Sequence, residues 1–322
     1  MSTIILDETR KMLRLQQKSS RTEQAYQDWI YRFNIFHHKI APSQFTEKEI
    51  DAFLHFLAEE RKVSVATQKQ AFQAILFLYR HVLDMPLPKK SFLQVYKKPP
   101  LPETLTRSEI KAVLNELKGE ILLMASVLYG CGLRLDECLN LQVKDIDLEQ
   151  SLLRVTHTNS NKNRELKLPD SLKNLFYEQL QKCRLLYEER MIAGSVGGVG
   201  LPESMQPDFP EAVSDWKSQF IFNSYKPSVH QGSGELRWNH RSASFLEKAL
   251  KHAALKAGLT KRISCNVMRH SFATHLLENG YDIHIVQKLL GHSNIRSTMI
   301  YAHVLPSKTK IRSPLDELEL MV

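Results

Sequence analysis

The sequence predicts a mainly α-helical protein with a small β-sheet, an α+β chain in two parts: an all-helical front domain and a larger mixed domain behind it. Three observations predict this. Apolar residues recur at helical spacing from Leu13 to about Leu83, a stretch rich in proline and lysine then breaks the pattern, and one pair of short alternating segments interrupts the helical rhythm of the remainder. At 322 residues, with 43% hydrophobic and 25% charged side chains, the chain is long and apolar enough for two globular parts, and its composition is not that of a disordered protein.

In the front domain, residues 1–86, Tyr26, Ile30, Phe33 and Phe36 or His37 form one apolar stripe, and Ile50, Phe53, Leu54 and Leu57 form another. Ser20 before RTEQAY and Thr46 before EKEI are the expected N-caps, the second with Glu49 in the capping-box position; residues 64–83 read as a further helix. Residues 87–103 are a basic, proline-rich linker carrying Lys89, Lys90, Lys97 and Lys98. In the second domain, residues 104–322, TRSEIKAVLNEL and EILLMASVLYGCG are helical, while SLLRVTH and RELKLP alternate as a short hairpin around residues 158–163. Residues 192–214 are rich in glycine and proline and read as a long irregular loop. At the end of the chain Leu315, Leu318 and Met321 or Val322 share one side of a helix too short to be stable alone.

Lys and Arg outnumber Asp and Glu by 44 to 35, and residues 1–100 hold 16 against 10, so the front carries +6 of the net +9. Such a bias favours a polyanionic partner, nucleic acid above all, and says nothing about fold. Cys131, Cys138, Cys183 and Cys265 show neither C-x-x-C nor paired spacing, which fits a reducing compartment better than zinc sites or disulfides. The start, MSTIILDETRKML, lacks the apolar core of a signal peptide, and no run of about 18 apolar residues follows; a cytoplasmic protein without a membrane partner is expected. No Gly-rich phosphate loop or metal-ligand motif is found, so neither cofactor nor metal is expected.

The most informative stretch is 264-SCNVMRHSFATHLLENGYDIHIVQKLLGHSNIRSTMIYAHV-304, which holds Arg269, His292 and Tyr301; a second, 129-YGCGLRLDECLNLQVKDID-147, holds Arg134 and Glu137. Together they resemble the tyrosine recombinases, whose pattern is G-x-R-x-x-E, a hairpin, H-x-x-R-H, and L-G-H followed nine residues after its His by a nucleophilic tyrosine. SRTEQAYQDWIYRF is similar to the start of that family's core-binding domain, so the resemblance covers nearly the whole chain. Within the family, GGVGLP at 197–202, DFP and DWKSQFIF at 215–222 are similar to the inserted element of integron integrases, here about 192–222.

The resemblance implies a helical core-binding domain and a tyrosine-recombinase catalytic domain forming a C-shaped clamp, which integrates or excises gene cassettes as a tetramer on DNA. It implies Tyr301 as nucleophile with Arg134, Arg269 and His292 around the phosphate. Glu137 is expected to orient the arginines. It further implies binding of duplex DNA and of folded single-stranded sites whose unstacked bases meet the insertion, with Pro202 and Trp216 as contacts and the linker lysines as a strap on phosphates. The residue types suit that chemistry. A planar guanidinium offers bidentate bonds to phosphate and keeps its charge, and a phenol with a free pKa of about 10 needs help to lose its proton.

Two positions depart from the family. Asn159 stands where the hairpin carries its general-acid lysine, with Lys162 three residues on, and Asn266 stands where H-x-x-R has its histidine. An amide hydrogen-bonds but does not donate a proton at neutral pH. Reduced activity follows, and the alternative reading is a DNA-binding relative whose catalysis has decayed. A tyrosine-type topoisomerase shares the chemistry, but the integron-like insertion argues against it. His270 and His275, on an otherwise apolar helix, read as structural.

Overall fold

A computed structural model describes residues 3–38, 47–85, 102–156, 163–192, 215–229 and 236–304. The chain divides into two compact units, Met1–Pro100 and Leu101–Val322. In the first, the apolar stripes become helices α1 (Thr3–Leu15), α2 (Ser20–Phe36), α3 (Glu47–Glu59) and α4 (Val65–His81). The predicted stripes turn inward: Ile30 and Phe33 of α2, Ile50 and Phe53 of α3, and Ile75 and Leu78 of α4 fill one core. Helix α1 adds an element ahead of the sequence-predicted ones and buries Leu13.

One cap differs from expectation. Ser19, extended at φ −63° and ψ 150°, accepts from the Thr22 amide at 3.1 Å, so Ser20 is already the first helical residue. Either serine can serve as a cap by its chemistry, and Ser19 is the one that does. Ser64 caps α4 in the same way, accepting from the Thr67 amide at 3.2 Å. The expected cap Thr46 lies outside the described residues.

The second unit is built on α6 (Gly119–Gly130). Its EILLMASVL sequence is apolar on every side, which only a helix enclosed by others can bury. Around it pack α5 (Arg107–Asn115), α8 (Asp170–Ile192), α9 (Ala243–Lys256) and α10 (Cys265–Glu278). The short α7 (Leu135–Leu139) follows α6, and α11 (Ile283–Leu290) packs on α10, followed by 3-10 turns at Ile295–Ser297 and Met299–Val304. Thr106 and Glu109 close a reciprocal capping box at the start of α5.

Strands β1 (Ile146–Asp147), β2 (Leu152–Val155) and β3 (Arg164–Lys167) form an antiparallel sheet in that order, and β4 (Ser228–Val229) pairs with β5 (Leu236–Arg237). The predicted hairpin is therefore present, in the register Leu153↔Leu166 and Val155↔Arg164. Directly opposed residues share a face, so the register that buries Leu153, Val155 and Leu166 turns Arg164 to the same inner side. Arg154 and Glu165 pair on the outer side at 3.2 Å.

All four cysteines are buried and reduced, and burial pushes each thiol up, Cys131 to about 12 and Cys183 to about 11. Among the described residues no helix is long and apolar enough to cross a membrane. The expected linker up to residue 101, the expected 192–214 loop apart from Ile192, which ends α8, and the tail helix lie outside the described residues.

Between α6 and α7 the chain turns at Gly132, whose φ of +63° lies in the left-handed region, and a Cβ built there would overlap the Phe272 ring of α10. Both the backbone and the space demand glycine. Gly132→Ala is expected to destabilise the second unit by about 2 kcal/mol or more, the scale of combined strain and overpacking. Urea unfolding followed by tryptophan fluorescence measures it; a change under about 0.5 kcal/mol, the level of a neutral surface substitution, would contradict the tight packing of this turn.

Candidate active site

Glu137, on α7, is the hub of a cationic cluster. Its carboxylate accepts from the Arg134 amide at 2.8 Å and from Arg134 Nη1 at 2.7 Å, a local arrangement made by the capping geometry at the start of α7. Arg164 reaches it from β3 with two parallel bonds, Nη1 to Oε1 at 2.9 Å and Nη2 to Oε2 at 2.8 Å. Arg269 approaches from α10, its Nη1 3.6 Å from Glu137 Oε2. Arg269 is 4% exposed, whereas the side chain of Arg134 is 38% exposed.

The same arginines close the end of α11. A helix leaves its last carbonyls without intrahelical donors, at the negative end of its dipole. Here Arg164 Nε donates to Leu289 O at 2.9 Å, Arg269 Nη2 to Leu290 O at 2.6 Å, and Arg134 Nη2 to Gly291 O at 3.4 Å. Arg269 Nη1 also donates to Gly132 O at 2.6 Å, tying the α6–α7 turn to α10. Gly291 takes the left-handed conformation, φ 63°, that ends α11 and delivers His292 to the cluster.

Burial alone raises the Glu137 carboxyl, but the hydrogen bonds and charge of Arg164, the Arg134 amide and the charge of Arg269 outweigh it and hold the group at about 2. Burial lowers Arg269 to about 10, so it stays charged at neutral pH. Burial, with Arg269, Arg134 and Arg164 nearby, holds His292 at about 4. A neutral His292 accepts from Arg269 Nη2 at its Nε2, 3.2 Å away, which leaves Nδ1–H to donate to Thr298 Oγ1 at 2.9 Å.

Tyr301 lies in the Met299–Val304 turn, 1% exposed and packed against Ala273, Leu277, Val286 and Leu290. Burial raises its phenol, while the charges of Arg269 and Arg134 pull it down. Its hydroxyl is in direct contact with His270 Nδ1. Asn266 is exposed one turn before Arg269 on α10. Trp216 packs on α8 instead, its ring 5.5 Å from Tyr187 with the Arg184 guanidinium 5.1 Å away. Asn159, Lys162, Pro202, Lys89, Lys90, Lys97 and Lys98 lie outside the described residues.

Of the residues singled out by sequence, Arg134, Glu137, Arg269, His292 and Tyr301 therefore meet in one place. Arg164 and His270 join them without having been assigned to the site. Arg164 follows from the hairpin register, and His270 from the phase of α10 against the following turn.

Residues 103–308 match the model of the phage integrase family, and residues 5–89 match that of the phage integrase N-terminal SAM-like domain. The chain belongs to the phage integrase family. These are the tyrosine recombinases, DNA strand transferases of site-specific recombination. An integrase/recombinase of Escherichia coli is 41% identical over 98% of this chain and 94% of its own length. Tyrosine recombinase XerD of Proteus mirabilis is 29% identical over 77% of this chain and 68% of its own. In fold, the chain is similar to the Tn1549 transposon integrase solved with transposon right end DNA, at a TM-score of 0.64 and 15% identity over 92% of this chain and 94% of that one.

The carboxylate hub makes a pH prediction for this recombinase. Because the folded pKa of Glu137 is depressed to about 2, its contribution is complete above the unfolded value of about 4.5 and is lost as pH falls from there to about 2. The shift corresponds to about 3 kcal/mol at 1.36 kcal/mol per pKa unit. Glu137→Gln is expected to flatten this acid limb and to lose about 3–5 kcal/mol at neutral pH by leaving the arginines uncompensated. Urea midpoints collected across that pH range test it, and parallel acid limbs in the two proteins would contradict it.

Proposed function

We propose that this recombinase is of the integron-integrase type, integrating or excising gene cassettes by cutting and rejoining DNA through a 3′-phosphotyrosyl intermediate without metal, ATP or other cofactor. The observation that carries the reading is the gathering of Arg134, Arg269 and His292 around Glu137, with Tyr301 in electrostatic range of both arginines. Charge that collects on the equatorial oxygens of a phosphodiester under attack is met by fixed guanidinium groups. Arg134, the more exposed, is the first that an arriving phosphate reaches. His292 donates from Nε2 once it takes up a proton or shifts its own from Nδ1, where the Thr298 hydroxyl can then donate, and the negative charge of a bound phosphate favours both.

The integron type rests on the segments GGVGLP and DWKSQFIF, with Pro202 and Trp216 as base contacts on folded single-stranded sites, and four protomers on two sites as the working assembly. Asn159 and Asn266 favour a slow enzyme, since an absent general acid removes about 10²–10⁴-fold in rate. The same two residues motivate the second reading, a DNA-binding relative without catalysis.

Nicked duplexes and nicked folded single strands, selected by binding from a random pool, separate these readings on a denaturing gel. A covalent protein–DNA band is expected, absent in Tyr301→Phe and stronger by orders of magnitude in Asn159→Lys with Asn266→His. Binding should fall steeply between low and moderate salt. Salt-sensitive binding with no band in either background establishes the decayed binder. Trp216→Ala should weaken folded strands more than duplex, and equal loss on both removes the integron assignment of that segment.

A further inference from the structure

The Tyr301 hydroxyl has a neighbour besides the arginines. His270 follows Arg269 on α10, and α10 packs directly on the Met299–Val304 turn. This brings His270 Nδ1 into hydrogen-bond contact with the Tyr301 hydroxyl, the ring centroids 5.5 Å apart at an interplanar angle of 51°. We propose that His270 is a catalytic residue, the acceptor of the phenolic proton when Tyr301 attacks the scissile phosphate.

The inference rests on Tyr301 being the nucleophile, and the surroundings leave His270 as the base. Arg269 and Arg134 stabilise a phenolate but accept no proton. His292 has both ring nitrogens engaged, with Arg269 and with Thr298. Asn266, where the family motif has histidine, has no basic nitrogen. The ionisable groups that face His270, among the described residues, are Arg269 on its own helix and Tyr301 from the turn packed against it. Burial and the Arg269 charge both lower its pKa, so the imidazole is neutral at neutral pH and keeps a lone pair for the phenol.

In the forward step the Tyr301 oxygen bonds to phosphorus, its proton passes to His270 Nδ1, and the P–O5′ bond breaks. The 5′ oxygen leaves with the electron pair and takes a proton from solvent. In religation a 5′-hydroxyl attacks the phosphotyrosyl bond and gives its proton to solvent, and His270 returns its own to the phenolate. The adjacent Arg269 disfavours imidazolium, which makes that return easy and keeps the two directions balanced.

His270→Asn separates this role from mere packing, because Asn Oδ1 takes the place of Nδ1 as an acceptor but cannot keep the proton. With the nicked substrates above, adduct formation is expected to slow about 10²–10⁴-fold with DNA binding retained. The wild-type rate should level off above the imidazole pKa, whereas the variant's should keep climbing into alkaline pH. A His270→Asn rate within about threefold of wild type with the same pH profile, measured against that 10²–10⁴-fold expectation, overturns the proposal. A covalent band that persists in Tyr301→Phe overturns the nucleophile assignment instead. Nitrogen NMR of the full chain labelled in histidine gives a reading independent of cleavage. His270 should carry its proton on Nε2 and show an Nδ1 resonance that moves in Tyr301→Phe; a proton on Nδ1 sinks the proposal even in a protein too slow to cleave.

Discussion

One buried carboxylate makes the site possible. Three guanidinium groups within reach of one another repel, and each also loses hydration as it is buried. Glu137 offsets this with two oxygens that receive Arg134 and the Arg164 fork and lie close to Arg269, so that these four groups together carry +2 rather than +3. Everything nearby serves that arrangement. The Gly132 turn sets α7 beside α10, the β2–β3 register turns Arg164 inward, and the end of α11 supplies carbonyls where the carboxylate has no more room.

The burial of Tyr301 adds a second constraint. Tyr301 sits among Ala273, Leu277, Val286 and Leu290 at 1% exposure, so its ring is part of the hydrophobic packing between α10 and α11. That apolar packing, together with the His270 contact, fixes where the hydroxyl stands relative to the charges of Arg269 and Arg134.

Much of this was legible in the sequence, for identifiable reasons. Helical stripes give the front unit because period and burial coincide there, as at Phe33 and Phe53. Arg134, Arg269, His292 and Tyr301 stand out because their spacing forms a motif. Arg164 did not, since its inward direction depends on a strand register that bare alternation over four residues leaves open. His270 reads as a packing residue on an apolar helix, and only the turn that follows α11 shows what it touches. The α2 cap lies one residue before its expected place because two neighbouring serines are chemically equivalent and sequence alone does not separate them.

Four of the acceptors that hold the arginines are main-chain oxygens, at Gly132 and, at the end of α11, Leu289, Leu290 and Gly291. No substitution removes a carbonyl. The outward side chains of α11 are thus free to diverge among descendants of this sequence while the arginine geometry stays fixed, provided that the helix ends in register and a residue tolerant of φ 63° follows it. The support of the arginines is thus insulated from substitutions on the exposed side of the helix that provides it.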